Sequence, residues 1–311
     1  MNERNKTAET VFILKGFSDI SELEAPISIL ILLIYLTTLV GNIVILLLVC
    51  QDSHLHTPMY FFLGNLSVLD IGYTTVALHK SIDIFVTGDH EVSFIDCMVQ
   101  MYFFTWFACN DLMLLTSMGY DRYVAICKPL HFTTLMNGRV CTRLAMFCWA
   151  FSFLHVLPPV TLISQLSCYT SNIINHFTCD VLPLVEISCS DTSIVEMVIF
   201  IDGGLVAIFT PFLLTFISYV FIITTIMKIK SSAGRKKAFY TCSSHLTAVL
   251  ILYVSIFSQY LTPSGTFKSN KLLSLFNSAV VPMLNPFIYS LKNKDVKSAI
   301  QKKLKNVMAI L

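Results

Sequence analysis

The stretch MGYDRYVAIC, Met118–Cys127, sets an aspartate and an arginine side by side at the end of a long apolar run. The whole chain is poor in charge: of 311 residues, 55% are hydrophobic and 13% charged, and the mean hydropathy is +0.72. That balance is too apolar for an ordinary soluble domain and points to a membrane. In such a chain, adjacent opposite charges mark the place where an apolar helix leaves the hydrocarbon.

Working outward, the apolar residues fall into runs of about 20 or more, the length a helix needs to cross a core about 30 Å thick. Seven runs are read: Pro26–Val49, Thr57–Leu78, Met98–Tyr120, Leu144–Ser164, Met197–Met227, Ala238–Leu261 and Leu272–Leu291. They are continuous, whereas a membrane barrel shows short alternating segments. The expected fold is therefore an all-α membrane protein, a seven-transmembrane helix bundle. Segments 122–143, 228–237 and 292–305 hold 15 of the 21 Lys and Arg, which places them in the cytoplasm and the amino terminus outside. The expected organisation is an extracellular segment 1–25, a seven-helix bundle 26–291 and a cytoplasmic tail 292–311. No cleavable signal peptide is expected, because the first 25 residues are mostly polar. Asn5-Lys6-Thr7 is an accessible glycosylation sequon, whereas Asn65-Leu66-Ser67 lies inside a span.

Cys97, Cys168, Cys179 and Cys189 fall in outer segments, where an oxidising compartment permits bridges, and four cysteines allow three pairings. The other six sit in spans or on the inner side and read as small buried hydrophobes.

Helical spacing returns Phe104, Asp111 and Arg122 to within about 20° of one face. Lipid penalises an exposed aspartate by at least about 2.5 kcal/mol, so this stripe faces the bundle interior. The same ruler places Asp70, Asn42 and Asn285 near mid-membrane beside Asp111. Two carboxylates that close do not both ionise cheaply without a cation or a shared proton, so sodium or a proton is expected at Asp70 and Asp111 and no other metal. Asp121 can hold Arg122 in one state and release it in another, a latch. Tyr219 and Tyr289 are further interior hydroxyls.

MGYDRYVAIC, with PMYFFL at 58–63, GN at 41–42, LSVLD at 66–70, SY at 218–219, KAFYTCSSHL at 237–246 and PMLNPFIYSLKN at 282–293, resembles the odorant receptor branch of the rhodopsin-like G-protein-coupled receptors. The resemblance covers essentially the whole chain. It implies bridges Cys97–Cys179 and Cys168–Cys189, a short amphipathic helix after Lys292, and coupling to a stimulatory olfactory G protein. Tyr123 and Pro286 enter as parts of its coupling motifs. Three positions depart from the family pattern: Asp111 stands for the usual Glu, Gly119 for Ala and Tyr240 for a smaller residue.

By the same resemblance, Phe104, Thr105, Ala108 and Cys109 of span three, Gly203, Gly204 and Ala207 of span five, Tyr253, Ile256, Phe257 and Tyr260 of span six, and Ser278 of span seven line the odorant pocket. Chemically they make an apolar cavity with a few hydroxyls, suited to a small neutral molecule. Amine receptors of the wider superfamily carry an acid where this chain has Phe104, which argues against an ammonium ligand; Asp202 is the one acid expected near pocket level. The expected partners are an odorant, the G protein and the bilayer, with no nucleic acid and no cofactor. A peptide or metabolite receptor is the alternative. A transporter is disfavoured by the lack of an internal repeat, and an enzyme by the lack of a catalytic constellation.

Overall fold

The computed structural model describes residues 11–17, 24–261, 267–291 and 294–308, and the side chains of these except 24, 260, 261, 267–270, 291, 294, 295 and 304–308. Asn5 and its sequon lie outside the described residues, as does the side chain of Tyr260. The bundle is built from α1 (Glu24–Gln51), α2 (Pro58–Thr87), α3 (Phe94–Cys127), and α4 (Gly138–His155, resuming as Leu157–Ser164). It is completed by α5 (Ser193–Val198, Ile199–Phe209 and Thr210–Lys228), α6 (Ser232–Leu261) and α7 (Phe267–Leu275, Phe276–Val280 and Val281–Leu291), and α8 (Lys294–Met308) follows. In α5 and α7 the middle pieces are π-helical, with wider turns. The helices overshoot the apolar runs because backbone hydrogen bonding continues until a cap stops it. α2 ends only where Gly88 turns left-handed (φ 74°) and returns its N–H to the Ile84 carbonyl. α3 starts where the Ser93 hydroxyl oxygen accepts the Asp96 N–H. α4 breaks at Val156, just before Pro158 and Pro159, which have no N–H to continue it.

Among the described residues, α1, α2, α4, α5, α6 and α7 are long and apolar enough to cross a membrane. α3 has the length, at 34 residues, but carries Asp96, Asp111, Asp121 and Arg122. It occupies the centre, against α2, α4, α5 and α6. Apolar side chains instead project outward from the peripheral helices: Ile29, Leu33, Leu36 and Val40 on α1, and Phe200, Phe209, Phe216 and Phe221 on α5, are exposed. A belt this wide is stable only against lipid.

A lid closes one end. β1 (Val11–Leu14) is the middle of a three-stranded sheet, antiparallel to β2 (Glu91–Ser93) and parallel to β3 (Ile173–Ile174). Phe12 and Leu14 are fully buried under it. The polar composition of the first 25 residues gave no hint of this strand. Bridges Cys97–Cys179 and Cys168–Cys189 staple the lid, and Gln100 of α3 donates to the Val76 carbonyl (2.9 Å) while accepting the Cys179 N–H (3.1 Å).

His176 sits buried in this lid, stacked on Phe177 at 4.5 Å. Burial, reinforced by Lys271 and opposed by Asp180, holds its imidazole below the ordinary value of 6.5. The folded lid thus refuses a proton that the unfolded segment accepts, so this residue's contribution to stability is intact above about pH 6.5 and is lost as pH falls below it. Thermal unfolding of purified protein at pH 7.4 and pH 5 is expected to show an acid-induced drop in Tm that shrinks in His176→Gln.

Candidate functional site

Beneath the lid the helices enclose a cavity of about 190 Å³. Phe104, Thr105, Ala108, Cys109, Asp111 and Leu112 of α3 form one side, and His155, Val156 and Pro159 at the break in α4 the next. Ile199, Asp202, Gly203, Ala207 and Ile208 come from the π-helical part of α5, Leu252, Ile256 and Gln259 from α6, and Ser274 and Asn277 from α7. Tyr73 of α2 and Asp180, Val181 and Leu182 of the lid complete it. The volume lies below the ~300–1,000 Å³ typical of drug-sized ligands, so only a small molecule fits.

Of the residues expected here, Phe104, Thr105, Ala108, Cys109, Gly203, Ala207 and Ile256 line the cavity. Gly204, Tyr253, Phe257 and Ser278 do not. Tyr253 and Phe257 instead pack on Phe212 of α5, at 5.1 and 5.2 Å between ring centroids. The Ser278 hydroxyl is turned back to the Ser274 carbonyl at 2.8 Å. The wall is also more polar than expected. Asp202 does face the cavity, with an oxygen 3.4 Å from His155 Nδ1, but Asp111 and Asp180 line it too. Ser255 of α6 donates to the Asn277 carbonyl oxygen, and the Asn277 amide donates to Gln259 Oε1 (2.9 Å), clamping α6 to α7. The available signal was a histidine and an aspartate inside apolar runs, where each requires an interior partner.

Below the cavity, the Asn285 amide donates to both oxygens of Asp70, at 3.0 and 3.2 Å. Asn42 belongs to a different arrangement from the expected four-residue knot. Pro286 and Pro282 lack N–H groups, so the carbonyls four residues back, Pro282 and Ser278, lose their helical donors. Asn42 of α1 donates to the Pro282 carbonyl (3.3 Å), and Thr74 of α2 to the Ser278 carbonyl (3.3 Å). Asp111 is buried with Oδ1 lacking a hydrogen-bond partner, and the buried Tyr289 hydroxyl likewise has none among the described residues.

At the inner end, Arg122 Nε donates to Asp121 Oδ2 at 2.9 Å and a second guanidinium nitrogen binds the same oxygen. Tyr123 is half-buried, its ring 5.9 Å from Phe221 of α5. The Tyr219 hydroxyl and His245 Nδ1 share a hydrogen bond (2.7 Å), and His245 Nε2 lies 2.9 Å from the Leu115 carbonyl, which can only accept. His245 therefore carries a proton on Nε2, tying α6 to α3 and α5. His245 lies in KAFYTCSSHL at 237–246, where the helical period alone assigns it no partner.

The family model described as "Olfactory receptor" matches residues 31–307. The chain belongs to the olfactory receptor family. Olfactory receptor 5B12 of Homo sapiens is 47% identical over 300 residues, covering 96% of this chain and 95% of its own length. Olfactory receptor 6C1 of Homo sapiens is 44% identical over 298 residues, 95% of each. The crystal structure of squid rhodopsin shares the fold, with a TM-score of 0.75 at 19% identity over 93% of this chain and 82% of that one. This olfactory receptor is accordingly an odorant receptor and a multi-pass plasma-membrane protein rather than an enzyme, in a family that couples to G proteins.

Gly119 of this receptor stands beside the His245 tie. A methyl added there meets His245 Cε1 at 3.5 Å and Thr215 Cγ2 at 3.7 Å, ordinary contacts. Gly119→Ala is expected to stabilise α3 by up to about 1 kcal/mol. A higher Tm and lower ligand-free signalling in cells carrying the variant would bear this out.

Proposed function

We propose that this receptor binds small, mostly neutral volatile molecules in the cavity and activates a stimulatory, olfactory-type heterotrimeric G protein. The observation that carries the reading is that a single unbroken helix, α3, holds both the cavity floor at Asp111 and the Asp121–Arg122 pair. A ligand pressing on the floor shifts α3, which frees Arg122 for the G protein. The His245 tie to Leu115 and Tyr219 opposes that shift by keeping α6 on α3 and α5. Asp111 Oδ1, buried and without a partner, suits a shared proton or sodium ion with Asp70. Asn5 is the proposed glycosylation site, and 1–25, 26–291 and 292–311 remain the proposed divisions of the chain.

Cells expressing the receptor are expected to raise cyclic AMP in response to members of a volatile panel. Arg122→Ala abolishes that response while surface staining persists; full signalling by the variant contradicts the latch. His245→Phe, which removes two buried hydrogen bonds of about 1 kcal/mol each, is expected to raise ligand-free cyclic AMP, and an unchanged baseline would exclude the restraint assigned to His245.

A further inference from the structure

The polar groups on the cavity wall are unevenly matched. Among the described residues, three carboxylates line it, Asp111, Asp180 and Asp202, and no Lys or Arg does. The donors opposite them are largely engaged: the Thr105 hydroxyl goes to the Met101 carbonyl at 2.8 Å, and the Asn277 amide to Gln259. One oxygen of Asp180 already takes the Val181 N–H, at 2.7 Å. Asp202 is a partly open acid on this wall. Its side chain is 30% exposed, and its Oδ1 is held by His155, itself stacked on Phe151 at 5.2 Å. Beside it, a Cβ built on Gly203 meets nothing within 4 Å, so there is room for a ligand next to the carboxylate.

We infer that this cavity selects ligands carrying a hydrogen-bond donor, a hydroxyl or an amine N–H, and reads that donor with the Asp202 carboxylate held by His155. The inference rests on the cavity being the odorant site. An ionised carboxylate only accepts, so it satisfies an alcohol but confronts the lone pairs of a ketone or ether with its own. A ligand of the same shape lacking the donor leaves the carboxylate desolvated and unpaired, which is where polar sites discriminate most strongly. The apolar remainder of the wall, Phe104, Leu112, Ile208, Leu252 and Ile256, recognises the carbon skeleton.

The test is a shape-matched series, a secondary alcohol with its ketone, methyl ether and parent hydrocarbon, read as cyclic-AMP dose–response curves with surface staining. In the unmodified receptor the alcohol is expected to be at least about tenfold more potent than the ketone, equivalent to roughly 1.4 kcal/mol. In Asp202→Asn, whose amide both donates and accepts, the ketone gains and the lead narrows. Gly203→Val fills the space beside the carboxylate and is expected to weaken the alcohol more than the hydrocarbon. A ketone or ether matching the alcohol in the unmodified receptor overturns the inference, as does an unchanged order in a surface-expressed Asp202→Asn. The series is built on the skeleton of the strongest response in a volatile panel, and potencies left unchanged by both Asp202→Asn and Gly203→Val at normal surface expression overturn the reading of the cavity itself.

Discussion

The constraint on which the structure depends is that α3, the most polar of the spanning helices, has to be buried by its neighbours. Hydrocarbon offers no hydrogen bonds, so each polar group at membrane depth needs a partner within the protein. The peripheral helices meet that demand by turning apolar faces outward and spending their few polar side chains on the interior. The pairing of Asp70 with Asn285, of Asp121 with Arg122, and of His245 with both Tyr219 and the Leu115 carbonyl follows from it. Even the prolines of α7 create carbonyls that α1 and α2 must then satisfy.

These interactions also locate the working parts. The cavity lies where α5 and α7 widen into π-helical turns and α4 breaks at its prolines, all of them departures from close helical packing. The lid, pinned by two disulfides and a three-stranded sheet, confines the cavity from outside. At the other end, the arginine latch closes within α3 itself, and the His245 tie crosses an otherwise largely apolar contact between α6, α3 and α5. Such a contact can exist in two packings that differ by only a few kcal/mol.

Much of this was legible in the sequence because it follows from composition along a helix. Apolar runs counted the spans, basic loops oriented them, and the 3.6-residue period placed Phe104, Asp111 and Arg122 on one interior side. The side chains that close the cavity were less legible. Tyr253 and Phe257 share a helical face with Ile256, yet they are drawn to Phe212 across the α5–α6 seam, a partner that period alone does not name. π-helical turns shift which residues of α5 face inward, so Gly203 reaches the wall and Gly204 does not. The strand at Val11–Leu14 was invisible because its two partners are distant in sequence and only three and two residues long.

The central claim is that occupation of the cavity is transmitted by α3 to the inner ends of the helices. Spin labels at Thr133, just beyond α3, and Lys236 on α6, both exposed, report that separation directly in purified receptor by pulsed electron resonance. The account predicts a longer-distance population on adding an activating ligand, and the same population without ligand in His245→Phe. A ligand that raises cyclic AMP yet leaves the distance distribution unchanged would contradict it.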